Sequence, residues 1–175
     1  MKIRQKISIL DRDGVLNKSN INSGYIGNYK DFKWIKGAKK AIKFLNMNKY
    51  KVIIVTNQSG IARKYFSYSD VLKLHRKMKY DLKKIGAKID RIFFCPHHKD
   101  GVVKKYKFRC SCRKPKNKFF RQIKKIWNID YEKSFMIGDQ LTDMEFAKNS
   151  NINGFLFKKN DLYKFIFRIV NERNN

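Results

Sequence analysis

Five short apolar runs, at residues 7–10, 52–55, 92–94, 135–137 and 155–157, recur along the chain with helical stretches between them. Runs this brief, rich in Ile, Val and Phe, suit strands buried on both faces of a sheet. The intervening stretches carry apolar residues at helical spacing. One is Ala38, Ala41, Ile42 and Leu45, and a second is Val71, Leu74, Met78, Leu82 and Ile85. A third is Phe119, Ile123, Ile126 and Trp127, and the last is Leu162, Phe165, Ile166, Ile169 and Val170. Strand–helix alternation of this kind predicts an α/β fold, a Rossmann-like core of about five parallel strands with helices on both faces. Ligands in such sheets bind beyond the carboxyl ends of the strands, so the chemistry should follow each apolar run.

A chain of 175 residues fits one compact domain, and no Gly/Ser linker, charge block or repeat divides it. Residues 1–175 are therefore read as a single domain with a tethered loop at 95–112 inside it. Only residues 17–36 separate the first polar motif from the first helix, which leaves no room for a large cap domain. No apolar run approaches the ~20 residues that span a bilayer, and residues 7–10 are too few for a secretory core. A cytoplasmic protein, a monomer with no membrane partner, is expected. The net charge of +28 invites a nucleic-acid reading. Its lysines, however, are scattered along the whole chain, so a compositional bias is the better account and nucleic acid is not the expected partner. The charge should instead draw in a small anionic substrate.

The first run leads directly into Asp11-Arg12-Asp13-Gly14. Alternate residues leaving a strand point to opposite faces. Both carboxylates can serve one site only if the chain turns, which Gly14 permits. Asp11 is a candidate nucleophile, because an aspartate is already ionised at neutral pH and needs no activating base. Asp13 is a candidate for protonating the leaving oxygen and then deprotonating water. Taken alone, Asp-x-Asp is equally an acidic turn.

Three further segments follow in order: Thr56-Asn57-Gln58-Ser59-Gly60, Arg113-Lys114-Pro115, and Gly138-Asp139-x-x-x-Asp143. Together with the first, they resemble the haloacid dehalogenase phosphohydrolases over nearly the whole chain. Within that superfamily the chain is similar to the heptose-bisphosphate phosphatases and to the histidinol-phosphate phosphatases. The resemblance implies a Mg²⁺-dependent phosphomonoesterase that passes through an aspartyl-phosphate, with a sugar bisphosphate as substrate. Asp11, Asp139 and the backbone carbonyl of Asp13 would bind the Mg²⁺, an ion that prefers a few oxygen ligands and keeps several waters. Thr56 and Asn57 would donate to phosphoryl oxygens. Lys114 would add a fixed positive charge, placed before a helix that Pro115 opens at an N1-like position. Arg113 can grip a second phosphate bidentately. Arg12, Asn57, Gln58, Ser59, Arg113 and Gln140 are thus expected to face substrate. Asp143 is either an acceptor for a metal-bound water or an acid in the first turn of a helix. Residues 17–25 and Gln140 depart from the heptose-enzyme pattern.

All three cysteines lie in Cys95-x-His97, twelve residues, Cys110-x-Cys112. An odd number in one window does not build a disulfide framework, whereas four N/S ligands describe a structural Zn²⁺ site. The loop between them is long and polar and needs such a tether. His98 and His75 have no partner spacing and are expected to be structural or exposed. Three alternatives remain: a histidinol-phosphate phosphatase, a polynucleotide 3′-phosphatase, and a non-catalytic basic binding module. A cationic substrate suits Arg113 poorly, the Cys/His loop does not suit a polynucleotide enzyme, and a binding module should have lost part of the acidic set.

Overall fold

The computed structural model describes residues 3–19, 24–158 and 161–173. Five strands form one parallel sheet: β1 (Ile7–Leu10), β2 (Lys51–Asn57), β3 (Arg91–Cys95), β4 (Phe135–Gly138) and β5 (Asn153–Leu156). The α-helices among the described residues are α1 (Ala38–Met47), α2 (Tyr68–Lys83), α3 (Lys118–Ile126), α4 (Leu141–Asn149) and α5 (Leu162–Glu172). The spatial strand order is β3-β2-β1-β4-β5. The chain builds outward from β1 to one side, then returns to fill the other. The crevice where the order reverses therefore lies between the carboxyl ends of β1 and β4.

The period-two alternation of each strand divides the core into two layers. Leu10, Val52, Ile54, Phe135 and Ile137 pack with buried residues of α1, α2 and α5. Ile7, Ile9, Ile53, Val55 and Met136 pack on the other face with α3 and α4. All ten of these strand residues are fully buried. In-register pairing of Leu10 with Ile137 brings the residues that follow each strand, Asp11 and Asp139, to the same crevice.

Four local readings change. The apolar run of β2 is extended through Thr56 and Asn57, which are strand residues paired with Phe94 and Cys95. The last strand begins earlier than its apolar run, since Asn153 and Gly154 pair with Phe135 and Met136 of β4, and Phe157 lies just beyond it. α3 starts at Lys118, so Pro115 sits in the preceding turn and not at N1. That helix ends at Ile126, which is 45% exposed, and Phe120 supplies the buried contact in its place.

The 96–109 loop is not structureless. It carries a short 3-10 turn at Lys104–Tyr106, and the Val102 and Val103 N–H groups both donate to the Ala62 carbonyl, at 2.7 and 3.0 Å. Of the unusual 17–25 segment, residues 20–23 lie outside the described residues. No large cap is seen among the described residues between β1 and α1. No described helix is long and apolar enough to cross a membrane.

Candidate active site

A cleft of about 380 Å³ opens at the carboxyl ends of the strands. Its walls include Asp11, Asp13, Tyr25, Thr56, Asn57, Arg113, Lys114, Asp139, Gln140 and Asp143. Four segments far apart in sequence thus meet where the sheet topology places a ligand.

Asp11 and Asp13 reach this cleft together because the chain turns sharply after β1. The N–H groups of Leu16 and Asn17 donate back to the Arg12 carbonyl at 2.8 and 3.1 Å, and Gly14 takes φ +88°. Gly14 is required for a second reason: a Cβ there would fall 2.1 Å from Asp139 Oδ2. Gly138 makes room in the same way, since its Cβ would meet the Asp143 side chain at 2.1 Å. Two glycines therefore allow the acidic groups to converge.

Lys114 lies at the centre. It is only 4% exposed, and its Nζ stands 2.7 Å from Asp11 Oδ1 and 2.5 Å from Asp143 Oδ1. Burial by itself would lower the lysine pKa, but attraction to Asp11 and Asp143 outweighs it and the pKa is raised. Asp143 is 1% exposed, and its Oδ2 accepts from the Gln140 N–H at the start of α4, at 3.2 Å. It is both the helix-terminal acid and a member of the charged cluster. Burial, reinforced by the Asp11 charge against the pull of Lys114, pushes its carboxyl up to about 6. Burial first and Asp11 second also raise the Asp139 pKa. Carboxylate oxygens of Asp11, Asp139 and Asp143 can all lie within 4.8 Å of one another. Lys114 is the one cation paired with them among the described residues, so three ionised carboxylates leave an excess of two negative charges, and hard oxygen donors suit a divalent cation of the Mg²⁺ kind.

Asp13 is held from the other side. It accepts from Arg12 Nη2 at 2.9 Å, Gln58 Nε2 at 2.7 Å and Asn17 Nδ2 at 2.8 Å. Arg12 and Gln58 were expected to touch substrate, and here the structure corrects the sequence. Arg12 is fully buried, bonded to Asp13, Gln58, His75 and the Ile26 carbonyl. Gln58 spans Asp13 and Thr56 Oγ1. Gln58 and Ser59 are buried and do not line the cleft. Asn57 is on the cleft wall, yet its amide is committed to the backbone of Lys114: Oδ1 accepts from the Lys114 N–H at 3.0 Å and Nδ2 donates to its carbonyl at 3.2 Å. Gln140 remains exposed on the wall, with Nε2 donating to Asp139. Arg113 also lines the cleft, and its buried Nη1 has no hydrogen-bond partner among the described residues.

The Cys/His cluster forms as expected. The three sulfurs lie 3.2–3.4 Å apart, and His97 Nδ1 lies 3.4 Å from Cys112 and 3.6 Å from Cys95. Ideal tetrahedral bonding to Zn²⁺ implies S···S of ~3.8 Å and S···N of ~3.6 Å, so small outward shifts would accommodate it. The hydrogen bond shared by Cys95 and Cys112 lowers the Cys112 thiol pKa to about 5 and raises that of Cys95, a pair in which one thiolate is stabilised by its neighbour. Phe108 packs on His97 at a ring separation of 4.3 Å. His98 stays outside the cluster, near Arg63 and Asp100.

An acidic pair after β1, a threonine near the end of β2, a buried lysine and an aspartate after β4 on a five-stranded parallel sheet are the fold and site of haloacid dehalogenase phosphatases. The model of the family described as polynucleotide kinase 3 phosphatase matches residues 6–160. The chain is 41% identical over 169 residues to the D-glycero-beta-D-manno-heptose-1,7-bisphosphate 7-phosphatase of Rhodopseudomonas palustris, covering 97% of this chain and 92% of that one. It is 42% identical over 149 residues to the enzyme of the same name from Haemophilus ducreyi, covering 85% and 80%. Among solved structures, D,D-heptose 1,7-bisphosphate phosphatase from B. bronchiseptica, complexed with magnesium and phosphate, superposes with a TM-score of 0.82 at 27% identity, over 96% of this chain and 99% of that one. The chain belongs to the family of these heptose-bisphosphate 7-phosphatases.

The Asn57 clamp generates a prediction. Asn57→Ala removes two hydrogen bonds that hold the Lys114 backbone, at a cost of ~1–3 kcal/mol. Denaturant unfolding should show that loss. Phosphatase kcat should fall at least tenfold as Lys114 loses its position (~1.4 kcal/mol per factor of ten). Unchanged kcat would show that Asp11 and Asp143 alone position the lysine.

Proposed function

We propose that this protein hydrolyses the 7-phosphate of D-glycero-D-manno-heptose 1,7-bisphosphate through a phospho-Asp11 intermediate. The observation that carries the proposal is the pairing, in one cleft, of the Asp11–Lys114 site with a second cation, Arg113, whose Nη1 has no hydrogen-bond partner among the described residues. One phosphate reacts while the other is gripped. The names of the relatives support the same substrate class.

The residues divide the reaction as follows. Asp11 attacks phosphorus, and the bond from phosphorus to the sugar oxygen breaks as Asp13 gives that oxygen a proton. Water then attacks the phospho-Asp11 phosphorus, its proton passes to Asp13, and phosphate leaves with Asp11 restored. Lys114 has three N–H donors and, among the described residues, uses two on carboxylates, which leaves a third for the phosphoryl group. The Thr56 hydroxyl lines the same cleft and can donate beside it. Asp11, Asp139 and the Asp13 carbonyl would hold Mg²⁺, with Asp143 beside them. When bound, Mg²⁺ supplies positive charge that reduces repulsion between nucleophile and phosphate. Cys95, His97, Cys110 and Cys112 would hold structural Zn²⁺, fixing the chain immediately before Arg113 and Lys114. The cytoplasm, which keeps thiols reduced, suits that site.

Two experiments test this reading. Metal analysis of chelator-free protein should find about one Zn per chain, and Cys110→Ser should lose it together with thermal stability. Activity should vanish in EDTA before Zn is lost and return with Mg²⁺. Protein without Zn, or activity indifferent to Mg²⁺, would refute the respective assignment. The second experiment measures phosphate release from the heptose bisphosphate, histidinol phosphate and a 3′-phosphorylated oligonucleotide. The matched family description and the +28 charge favour the last as a rival. The bisphosphate should be the best substrate. Arg113→Ala should raise its KM by about ten- to a hundredfold, the worth of a charge-assisted contact, and should spare monophosphates. A preferred oligonucleotide, or equal losses on mono- and bisphosphates, would overturn the substrate assignment.

A further inference from the structure

Helix α2 supports Asp13 at one remove. A capping box at Ser67 and Asp70 starts the helix, and its inward face is Val71, Leu74, Met78 and Leu82. Within that apolar stripe stands one imidazole, His75, only 5% exposed. Its Nε2 lies 3.3 Å from Arg12 Nη1, and its ring meets Phe94 edge-on at 5.4 Å. A guanidinium has donors only, so Nε2 must accept and the ring proton must sit on Nδ1. Burial, followed by the Arg12 charge, lowers the His75 pKa to about 3, so the ring is neutral and able to accept at physiological pH.

Arg12 uses its other donors on the site. Nε and Nη2 hold Asp13, while Nη2 also reaches Gln58 Oε1 and the Ile26 carbonyl. Asp13 thus takes the edge formed by Nε and Nη2. The contact to His75 holds the third nitrogen, Nη1, and with it the angle at which the guanidinium meets the Asp13 carboxyl.

We propose that His75 is a positioning residue for leaving-group protonation: by accepting from Arg12 it fixes the guanidinium that aims the Asp13 carboxyl at the departing oxygen. The inference rests on the role given above to Asp13, the donor of the proton that the sugar oxygen gains as its bond to phosphorus breaks.

The test compares two leaving groups. A sugar alkoxide needs that proton, whereas p-nitrophenolate leaves without it. The measured quantity is kcat/KM, which ends at the first irreversible bond cleavage and is blind to phospho-Asp11 hydrolysis. Asp13→Asn serves as the reference and should lose far more on the heptose bisphosphate than on p-nitrophenyl phosphate. His75→Leu and His75→Phe should lose about tenfold or more on the bisphosphate and less than about threefold on p-nitrophenyl phosphate, a fraction of what an acid catalyst contributes. His75→Gln, whose Oε1 can accept where Nε2 did, should recover most of the loss. His75→Phe keeps the ring contact with Phe94, so it decides the matter if the Leu variant does not fold. If neither apolar variant folds, His75→Asn against His75→Gln decides, because only the longer amide reaches Arg12; the split should then appear in the Asn variant alone. Equal losses on both substrates, or no loss in folded variants, while Asp13→Asn still shows the split, would overturn the role of His75. An Asp13→Asn variant without the split would instead overturn the role of Asp13.

Discussion

A single buried ammonium organises this molecule's functional end. Lys114 is almost wholly removed from water, and its charge persists there because Asp11 and Asp143 stand on it at 2.7 and 2.5 Å. Removing one partner from such a buried pair typically costs ~3–5 kcal/mol, because it strands a charge in a poorly polarisable place. The surroundings follow from that constraint. Gly138 is bare so that Asp143 can approach, Gly14 is bare so that Asp139 can, and Asn57 grips the Lys114 backbone from the neighbouring strand. The Cys/His cluster ends two residues before Lys114, at Cys112, where it can fix the path of the chain into the site.

A second buried cation, Arg12, does for Asp13 what Lys114 does for Asp11. The two carboxylates are separated by one residue, yet their partners differ in kind. Asp11 meets a compact ammonium whose remaining hydrogen can turn toward a phosphoryl oxygen. Asp13 meets a planar fork that is satisfied entirely within the protein. Such a division suits a nucleophile that must meet an anion and a proton carrier that must be held at a fixed angle. A further cation of the cleft, Arg113, keeps a buried N–H without a partner among the described residues.

The sheet was legible because its strands are buried on both faces and so appear as apolar runs, and the residues after β1, β2 and β4 converge as parallel topology requires. The Cys/His cluster was legible because every cysteine of the chain lies in it. What could not be read was the direction of side chains. Arg12 sits between two site aspartates and looks from the sequence like a substrate ligand, but the turn at Gly14 swings it into the interior. Gln58 and Asn57 belong to a phosphate-binding segment by position, yet one braces Asp13 and the other braces Lys114. His75 gave a faint signal, a single polar residue on the apolar stripe of α2. Its partner lies 63 positions away, and only the fold, which sets α2 against the turn after β1, joins them. Pro115 misled because it lies inside a turn closed by the Lys116 N–H on the Arg113 carbonyl, and α3 begins only after it.

The central claim is that Asp11 forms a covalent bond to phosphorus. Rapid acid quenching of the enzyme during turnover, followed by borohydride reduction and peptide mass mapping, tests it directly. Reduction of an acyl-phosphate converts the aspartate to homoserine, so homoserine at position 11, dependent on substrate and absent without it, is the predicted result. Turnover that proceeds with Asp11 unmodified at every quench time, or homoserine at another aspartate, would contradict the account.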